Sequence, residues 1–242
     1  MQVEQAIFTS ARSLHASGYH LTARSRGIDD GLAQTISPWG PSHASLVSEE
    51  FDASSLNFFP VGNDRFALSR SVYGGHEYSQ RGEFQIVSII IVFHREQLAG
   101  YSDNPIALAQ TVLALGHLRL RSVVHGSLSL LDIPDRSMFG FVSPFPEDRY
   151  DEILTSRVLD TIQDGRRVAV FGLSDPMPTL DQLARRVPRD QRAELSFTTG
   201  LKPSVHRDFR LHFFSNLDED LSIQLNSQGI SCLTAYNPPE GR

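Results

Sequence analysis

Hydrophobic residues follow a short, strand-like period over the first half of the chain and shift to helical spacing in the second. The run Phe84–Phe93 is the clearest strand: Ile86, Val87, Ile89, Ile90, Ile91, Val92 and Phe93 are apolar at odd and even positions alike. Neither face of such a strand is built for water, so it belongs in the middle of a sheet. Val3–Thr9 and Tyr19–Ala23 are shorter β-prone runs, and the polar link His15-Ala16-Ser17-Gly18 predicts a hairpin between them. Leu56–Val61 and Arg65–Tyr73 predict two more strands around the turn Gly62-Asn63-Asp64. Asp29 and Asp30 offer an N-cap for a short helix that must stop near Pro38. Asp103 is the expected cap of a helix over Pro105–Leu115, with Gly116 as its stop. His117–Val124 reads as a further strand.

The pattern changes after the breakers Ile133-Pro134-Asp135 and Ser143-Pro144-Phe145-Pro146. Tyr150–Gln163 is amphipathic, with Ile153, Leu154, Val158 and Ile162 assigned to one face and Gly165 following as the stop. Val168–Phe171 is a buried-type strand. Thr179–Val187 is a helix that turns its Leu180, Leu183 and Ala184 inward. Glu194–Thr198 and Phe209–Phe213 are strands. This order predicts an α+β protein: a strand-rich N-terminal domain over 1–147 and a smaller α/β unit over 148–242. Residues 157–210 are net basic within an otherwise acidic chain, which fits a separate second unit.

The chain has 242 residues, 40% hydrophobic and 21% charged, with a net charge of −6. That balance supports a globular core and argues against a duplex DNA binder that relies on a broad basic surface. One cysteine, Cys232, excludes a disulfide framework and a Cys-rich zinc site, and fits a reducing cytoplasm. Its apolar setting, Ile230-Ser231-Cys232-Leu233, suits a small buried hydrophobe. The longest apolar stretch, 86–93, is far short of the roughly 20 residues a membrane helix needs. The expected location is therefore the cytoplasm. A single Lys, Lys202, stands among 22 basic residues.

No P-loop, G-x-G-x-x-G, H-E-x-x-H or G-x-S-x-G motif is present. Gly200-Leu201-Lys202-Pro203-Ser204 has P-loop residue types without P-loop spacing, and Pro203 lacks the N–H that a phosphate cradle would use. No cofactor and no metal are expected. Two polar segments remain as candidates. In the first, Arg70–Phe84, three glycines allow close approach, while Tyr73, His76, Tyr78 and Arg81 offer stacking, proton transfer and anion pairing. In the second, Ser196–Ser204 brings hydroxyls and Lys202 to a strand end, with Arg207 and Arg210 close by. Each segment has a plainer reading as well: an exposed hairpin in the first case, a polar loop in the second. His94 and His212 flank apolar strands and are expected to be satisfied core or edge histidines.

Three stretches together resemble a known family. Gln5-Ala6-Ile7-Phe8-Thr9-Ser10, then Gly18-Tyr19 with Ala23-Arg24-Ser25-Arg26-Gly27-Ile28, resembles the opening of the bacterial GTPase-associated protein 1 family, N-terminal domain type 2. The Arg70–Phe84 segment resembles that domain's Tyr/Gly/Arg-rich stretch ahead of its long strand. Gly165-Arg166-Arg167-Val168, Asp175-Pro176 and Glu194–Lys202 resemble the middle domain of the same proteins. The resemblance implies a non-enzymatic adaptor or regulatory subunit of a bacterial GTPase-centred conflict system. Its partner would be the GTPase or another protein of that system, with neither membrane nor nucleic acid involved. The alternative is a nucleotide- or phosphate-binding sensor or enzyme that uses the Tyr73–Arg81 loop. The resemblance carries over no catalytic residue. Family members often continue into a C-terminal region, whereas this sequence stops at Pro238-Pro239-Glu240-Gly241-Arg242.

Overall fold

The computed structural model describes residues 1–12, 17–62, 64–76, 84–120, 125–136, 145–146, 149 and 151–235. Strands β1 (Gln2–Arg12) and β2 (Ser17–Ser25) pair antiparallel as the predicted hairpin, with Ser10 opposite Tyr19. Helix α1 (Asp30–Ile36) begins where Asp29 Oδ1 accepts from Leu32 N at 2.8 Å, satisfying an amide that the helix itself leaves open. It passes into a 3₁₀ turn at Ser37–Trp39 that contains Pro38. Strands β3 (Ser54–Pro60), β4 (Arg65–His76) and β5 (Phe84–His94) pair antiparallel in turn. β5 lies between β4 and β1. Its Val87, Ile89, Ile91 and Phe93 enter one apolar cluster, and its Ile86, Ile90 and Val92 enter another on the opposite face. The two-sided apolar run of the sequence thus marks a strand buried on both faces.

Two short helices follow, α2 (Arg95–Ala99) and α3 (Pro105–Ala114). The cap of α3 is Asn104 rather than Asp103: Asn104 Oδ1 accepts from Ile106 N at 2.9 Å. Pro105 occupies the first helical turn, which places the cap one residue before it. Asp103 instead sits at φ 55° and accepts from Arg189 Nε at 2.5 Å. Residues 117–120 form a turn where a strand was expected, and 121–124 lie outside the described residues. β6 (Gly126–Leu128) runs parallel to β2, and β7 (Leu131–Asp132) pairs with β1.

The remainder comprises α4 (Glu152–Gln163), β8 (Arg167–Phe171), α5 (Met177–Arg186), a 3₁₀ segment at Arg189–Glu194, β9 (Phe197–Thr198), β10 (Leu211–Phe214), α6 (Glu219–Ser227) and β11 (Ile230–Thr234). On α4, Leu154, Val158 and Ile162 are buried, but Ile153 is exposed. It is one residue, about 100° of helix, off the i, i+4 stripe. The strand expected over Glu194–Thr198 shrinks to two residues: the 3₁₀ segment takes Glu194, and Leu195 and Ser196 belong to no element. Cys232 on β11 is half-buried, with Sγ 3.5 Å from the Ser222 carbonyl.

The fold is α+β. Among the described residues one sheet has the order β11-β8-β10-β9-β3-β4-β5-β1-β2-β6, with β7 beside β1. The part from β11 to β9 is parallel, and β9 joins β3 antiparallel, Asn57 opposite Thr198. The expected boundary at 148 falls between β7 and α4 in the chain, while the sheet runs on through the β9–β3 pairing. One apolar cluster includes buried residues of α3, α4 and α5, and the other includes buried residues of α1 with Leu46, Leu201 and Phe209. A third joins Leu221 and Leu225 of α6 to Ala169, Phe171 and Phe214.

A buried line of polar side chains crosses the β9–β3–β4–β5 region. Thr198 Oγ1 donates to Asn57 Oδ1 at 2.6 Å, and Asn57 Nδ2 donates to Ser69 Oγ at 3.2 Å. Ser55 Oγ reaches Asn57 Oδ1 at 2.7 Å and Thr198 Oγ1 at 3.0 Å, and Ser71 and Ser88 bond each other at 2.8 Å. Asn57→Ala removes the shared partner of Thr198, Ser55 and Ser69 at a buried position. We expect a loss of about 2–4 kcal/mol of stability in urea unfolding, with an unchanged denaturant slope. A loss below about 0.5 kcal/mol, the range of ordinary surface substitutions, would show that the line is incidental to stability.

Candidate functional site

The first candidate segment lies at the end of β4. The β4–β5 register shifts between Tyr73 and His76. This bulge explains two glycines. A Cβ on Gly74 would meet Val87 Cγ2 at 2.3 Å, and Gly75 has φ 103°. Beyond the bulge, His76 pairs with Phe84 across the strands. The Tyr73 ring lies 5.6 Å from that of Phe84, and the exposed His76 ring stacks on Phe84 at 5.1 Å. Tyr73 is buried, and its hydroxyl donates to the Ser48 carbonyl at 3.1 Å. Burial, and to a lesser degree the charge of Glu49, raises its pKa above the usual tyrosine value. Tyr73 is therefore a support for this surface, and His76 is its exposed member. Tyr78 and Arg81 lie outside the described residues. The structure adds Phe51, which is 64% exposed and edge-on to Phe84 at 5.7 Å. No periodicity distinguishes Phe51, because it sits in a loop; its setting, Glu49-Glu50-Phe51-Asp52, is the only signal in the sequence.

The second candidate segment follows β9. Gly200 passes so close to β3 that a Cβ there would lie 3.2 Å from the Ser54 carbonyl oxygen. Its own carbonyl accepts from Val47 N at 2.9 Å, and Lys202 N donates to the Ser45 carbonyl at 2.7 Å. Segments 45–47 and 200–202 are thus laced together, and Lys202 is held by its backbone with its side chain half-exposed. A turn closed by Arg207 N and the Ser204 carbonyl at 3.0 Å then exposes Val205 and His206 and buries Arg207. Arg207 Nη2 donates to the Lys202 carbonyl at 3.1 Å, so the structure brings Lys202 and Arg207 together. Tyr73 and His76 form a separate group, linked to this one through the segment from Ser45 to Ser48.

Arg207 lines a cleft of about 1070 Å³ that also takes in Arg24, Asp30, Ser42, Ser204 and His206. Arg24 is already engaged, bonding Asp30 at 2.5 Å and the Asp29 carbonyl at 3.2 Å. Among the described residues Arg207 has no carboxylate partner, and its buried Nε has no acceptor. Burial lowers its pKa. The sequence draws attention to Arg207 and Lys202, but the walls given by α1 and β2 come from distant chain and carry no local signal. Among the described residues no group of three or more His, Cys, Asp or Glu side chains is placed to hold a metal ion.

His212, on β10, departs from expectation. It is fully buried between Phe209 (ring centroid 5.9 Å) and Phe214 (6.2 Å), and its Nδ1 has no partner among the described residues. Burial, followed by the nearby Arg167 charge, lowers its pKa from 6.5 to about 4; a hydrogen bond with the Phe209 backbone and the Asp208 charge oppose the shift, while Arg207 adds to it.

The family model for GTPase-associated protein 1, N-terminal domain type 2, matches residues 2–123. No curated protein and no solved structure matches the chain. The matched span covers half of the sequence and takes in β1 through α3, including the Tyr73–His76 group. The chain belongs to the GTPase-associated protein 1 family, N-terminal domain type 2. No helix among the described residues is long and apolar enough to cross a membrane.

The depressed His212 pKa sets a pH dependence. Between pH 6.5 and about 4 the unfolded chain binds a proton that the folded protein does not, so stability falls as pH falls through this window. On going from pH 7.5 to pH 5 the wild-type protein should lose about 2 kcal/mol more than His212→Phe, which keeps the ring and removes the titration. Urea unfolding of both proteins at the two pH values measures the difference. Equal losses would place the His212 pKa near its ordinary value.

Proposed function

We propose that this family member is a non-enzymatic adaptor or regulatory subunit of a bacterial GTPase-centred conflict system. It works in the cytoplasm with 1–147 and 148–242 as its two units, and it docks on the GTPase of that system. Membership of a GTPase-associated family supports the link to a GTPase. The observation that carries the docking mode is Phe51. Burying this side chain would release about 1.5–3 kcal/mol, yet it is exposed and fixed edge-on to Phe84. An exposed aromatic flanked in the chain by Glu49, Glu50 and Asp52 has the form of an interface anchor, and it suits a partner surface that is apolar at its centre and basic around it. His76 extends the same surface, and Tyr78 and Arg81 follow it closely in the sequence. The alternative, a nucleotide- or phosphate-binding sensor or enzyme on the Tyr73–Arg81 loop, would find the Tyr73 hydroxyl already donating to the Ser48 carbonyl.

Binding of the purified GTPase from the same gene neighbourhood tests the reading. Phe51→Ala, and separately Tyr78→Ala with Arg81→Ala, should weaken capture about 30-fold or more, the equivalent of about 2 kcal/mol. Phe51→Ala should leave the melting temperature within about 2 °C of wild type, as an exposed side chain is lost. Unchanged affinity with a normal melt would remove this surface, and no binding of the wild-type protein to the GTPase would overturn the adaptor reading.

A further inference from the structure

The turn at 204–207 places its side chains against their hydropathy. Val205 is 91% exposed, while Arg207 is only 7% exposed. Transfer free energies favour the reverse. Arg207 cannot shed its charge as a histidine or lysine would. A buried guanidinium with one acceptor, a backbone carbonyl, and no carboxylate among the described residues is a cost that the fold bears without return. The charge also does not lie in a sealed core; it lines the 1070 Å³ cleft described above.

We infer that this cleft is a binding site for a small phosphorylated molecule, with Arg207 anchoring the phosphate. The donors suit a phosphate better than a carboxylate. Arg207 lines the cleft with no carboxylate partner among the described residues, and Ser42, Ser204 and His206 line it too. Ser204 Oγ accepts from His206 N at 3.3 Å, which leaves its proton to donate. Three terminal phosphate oxygens can use such a set, whereas a carboxylate offers two oxygens. Asp30, the one carboxylate lining the cleft, is neutralised by Arg24, so Arg207 is the uncompensated charge. Leu21, Ala33 and Pro38 give an apolar wall along which the rest of the ligand would lie, in a volume suited to a small organic molecule. The inference stands apart from the adaptor reading, since none of these residues belongs to the Phe51 surface.

The test uses the full chain with inorganic phosphate and phenyl phosphate as probes, and with acetate and chloride at matched ionic strength as controls, read by calorimetry and thermal unfolding. The wild-type protein should bind phosphate or phenyl phosphate and melt higher with it, and should respond to neither control. Tighter binding of phenyl phosphate identifies an ester as the ligand class; equal or tighter binding of inorganic phosphate identifies the free ion. Arg207→Met should weaken binding about tenfold or more, while its unliganded melt stays level or rises because a buried unpaired charge is gone. Should that variant fail to fold, Ser42→Asp, on an exposed wall position, should weaken phosphate binding to a similar extent by placing a carboxylate in the cleft. The inference is overturned if the wild-type protein ignores both phosphates, if chloride or acetate does the same as phosphate, or if either folded variant binds phosphate as the wild type does.

Discussion

Much of this structure depends on how the two-residue strand β9 is held against β3. The backbone pairing alone is short, covering only Asn57–Thr198 and Phe58–Phe197. Side chains on the two faces of the sheet reinforce it. On one face Phe58 and Phe197 stack at 5.9 Å within the larger apolar cluster. On the other, Thr198 and Asn57 start the buried polar line that runs into β4 and β5. The first term supplies apolar burial, which is strong and non-directional. The second is directional: Asn57 can satisfy Thr198, Ser55 and Ser69 in one register only, because a one-residue slip would turn every side chain to the other face. The parallel strands thus dock on the antiparallel ones in a unique alignment, which in turn sets where the 199–209 loop falls.

That loop has to lie over the second face of the sheet, and its backbone shows why. Thr198 Oγ1 accepts from Leu201 N at 3.1 Å, so the same hydroxyl that joins the strands also starts the loop. The Gly200 and Lys202 bonds to 45–47 then fasten it to a segment from the other half of the chain. Ser48, one residue on, holds the Tyr73 hydroxyl. The 45–48 segment, hydrogen-bonded to Gly200 and Lys202 on one side and to Tyr73 on the other, therefore links the Phe51–Phe84 surface to the Arg207 loop.

The legible parts of the sequence were those whose signal is local. The Asp29 cap, the hairpin of β1 and β2, the two-sided run of β5 and the Leu154/Val158/Ile162 stripe each follow from neighbours within one element. The failures have physical causes too. Asp103 and Asn104 are both good caps, and only the position of Pro105 decides between them. Helix α6 carries just Leu221 and Leu225 as buried residues within a polar sequence, too thin a stripe to announce a helix. Ser55, Asn57, Ser69, Ser71 and Thr198 are buried with no sequence signal of it, because hydropathy sees polarity and not the partner across the sheet. The sequence singles out Lys202, Arg207, Tyr73 and His76 by residue type. The geometry of the candidate site was not legible, because the walls of the Arg207 cleft come from β2, α1 and the 37–42 segment, more than 150 residues away in the chain.

The distribution of unsatisfied groups gives a further argument. Polar side chains buried in the sheet are paired with care, Thr9 to the Ile86 carbonyl and Ser25 to the Gln5 carbonyl among them. Among the described residues three buried side-chain polar atoms have no partner, on Gln110, Arg207 and His212, and two of these residues lie five apart on one segment. Phe209, between them, makes ring contacts with His212, Trp39 and Phe59. Two of these three unpartnered atoms, on a cation and an imidazole, thus fall where the loop after β9 turns into β10. Natural folds keep such local costs where function requires them and offset them with the surrounding packing. Here the packing is the aromatic group around Phe209, whose ring meets those of Trp39, Phe59 and His212.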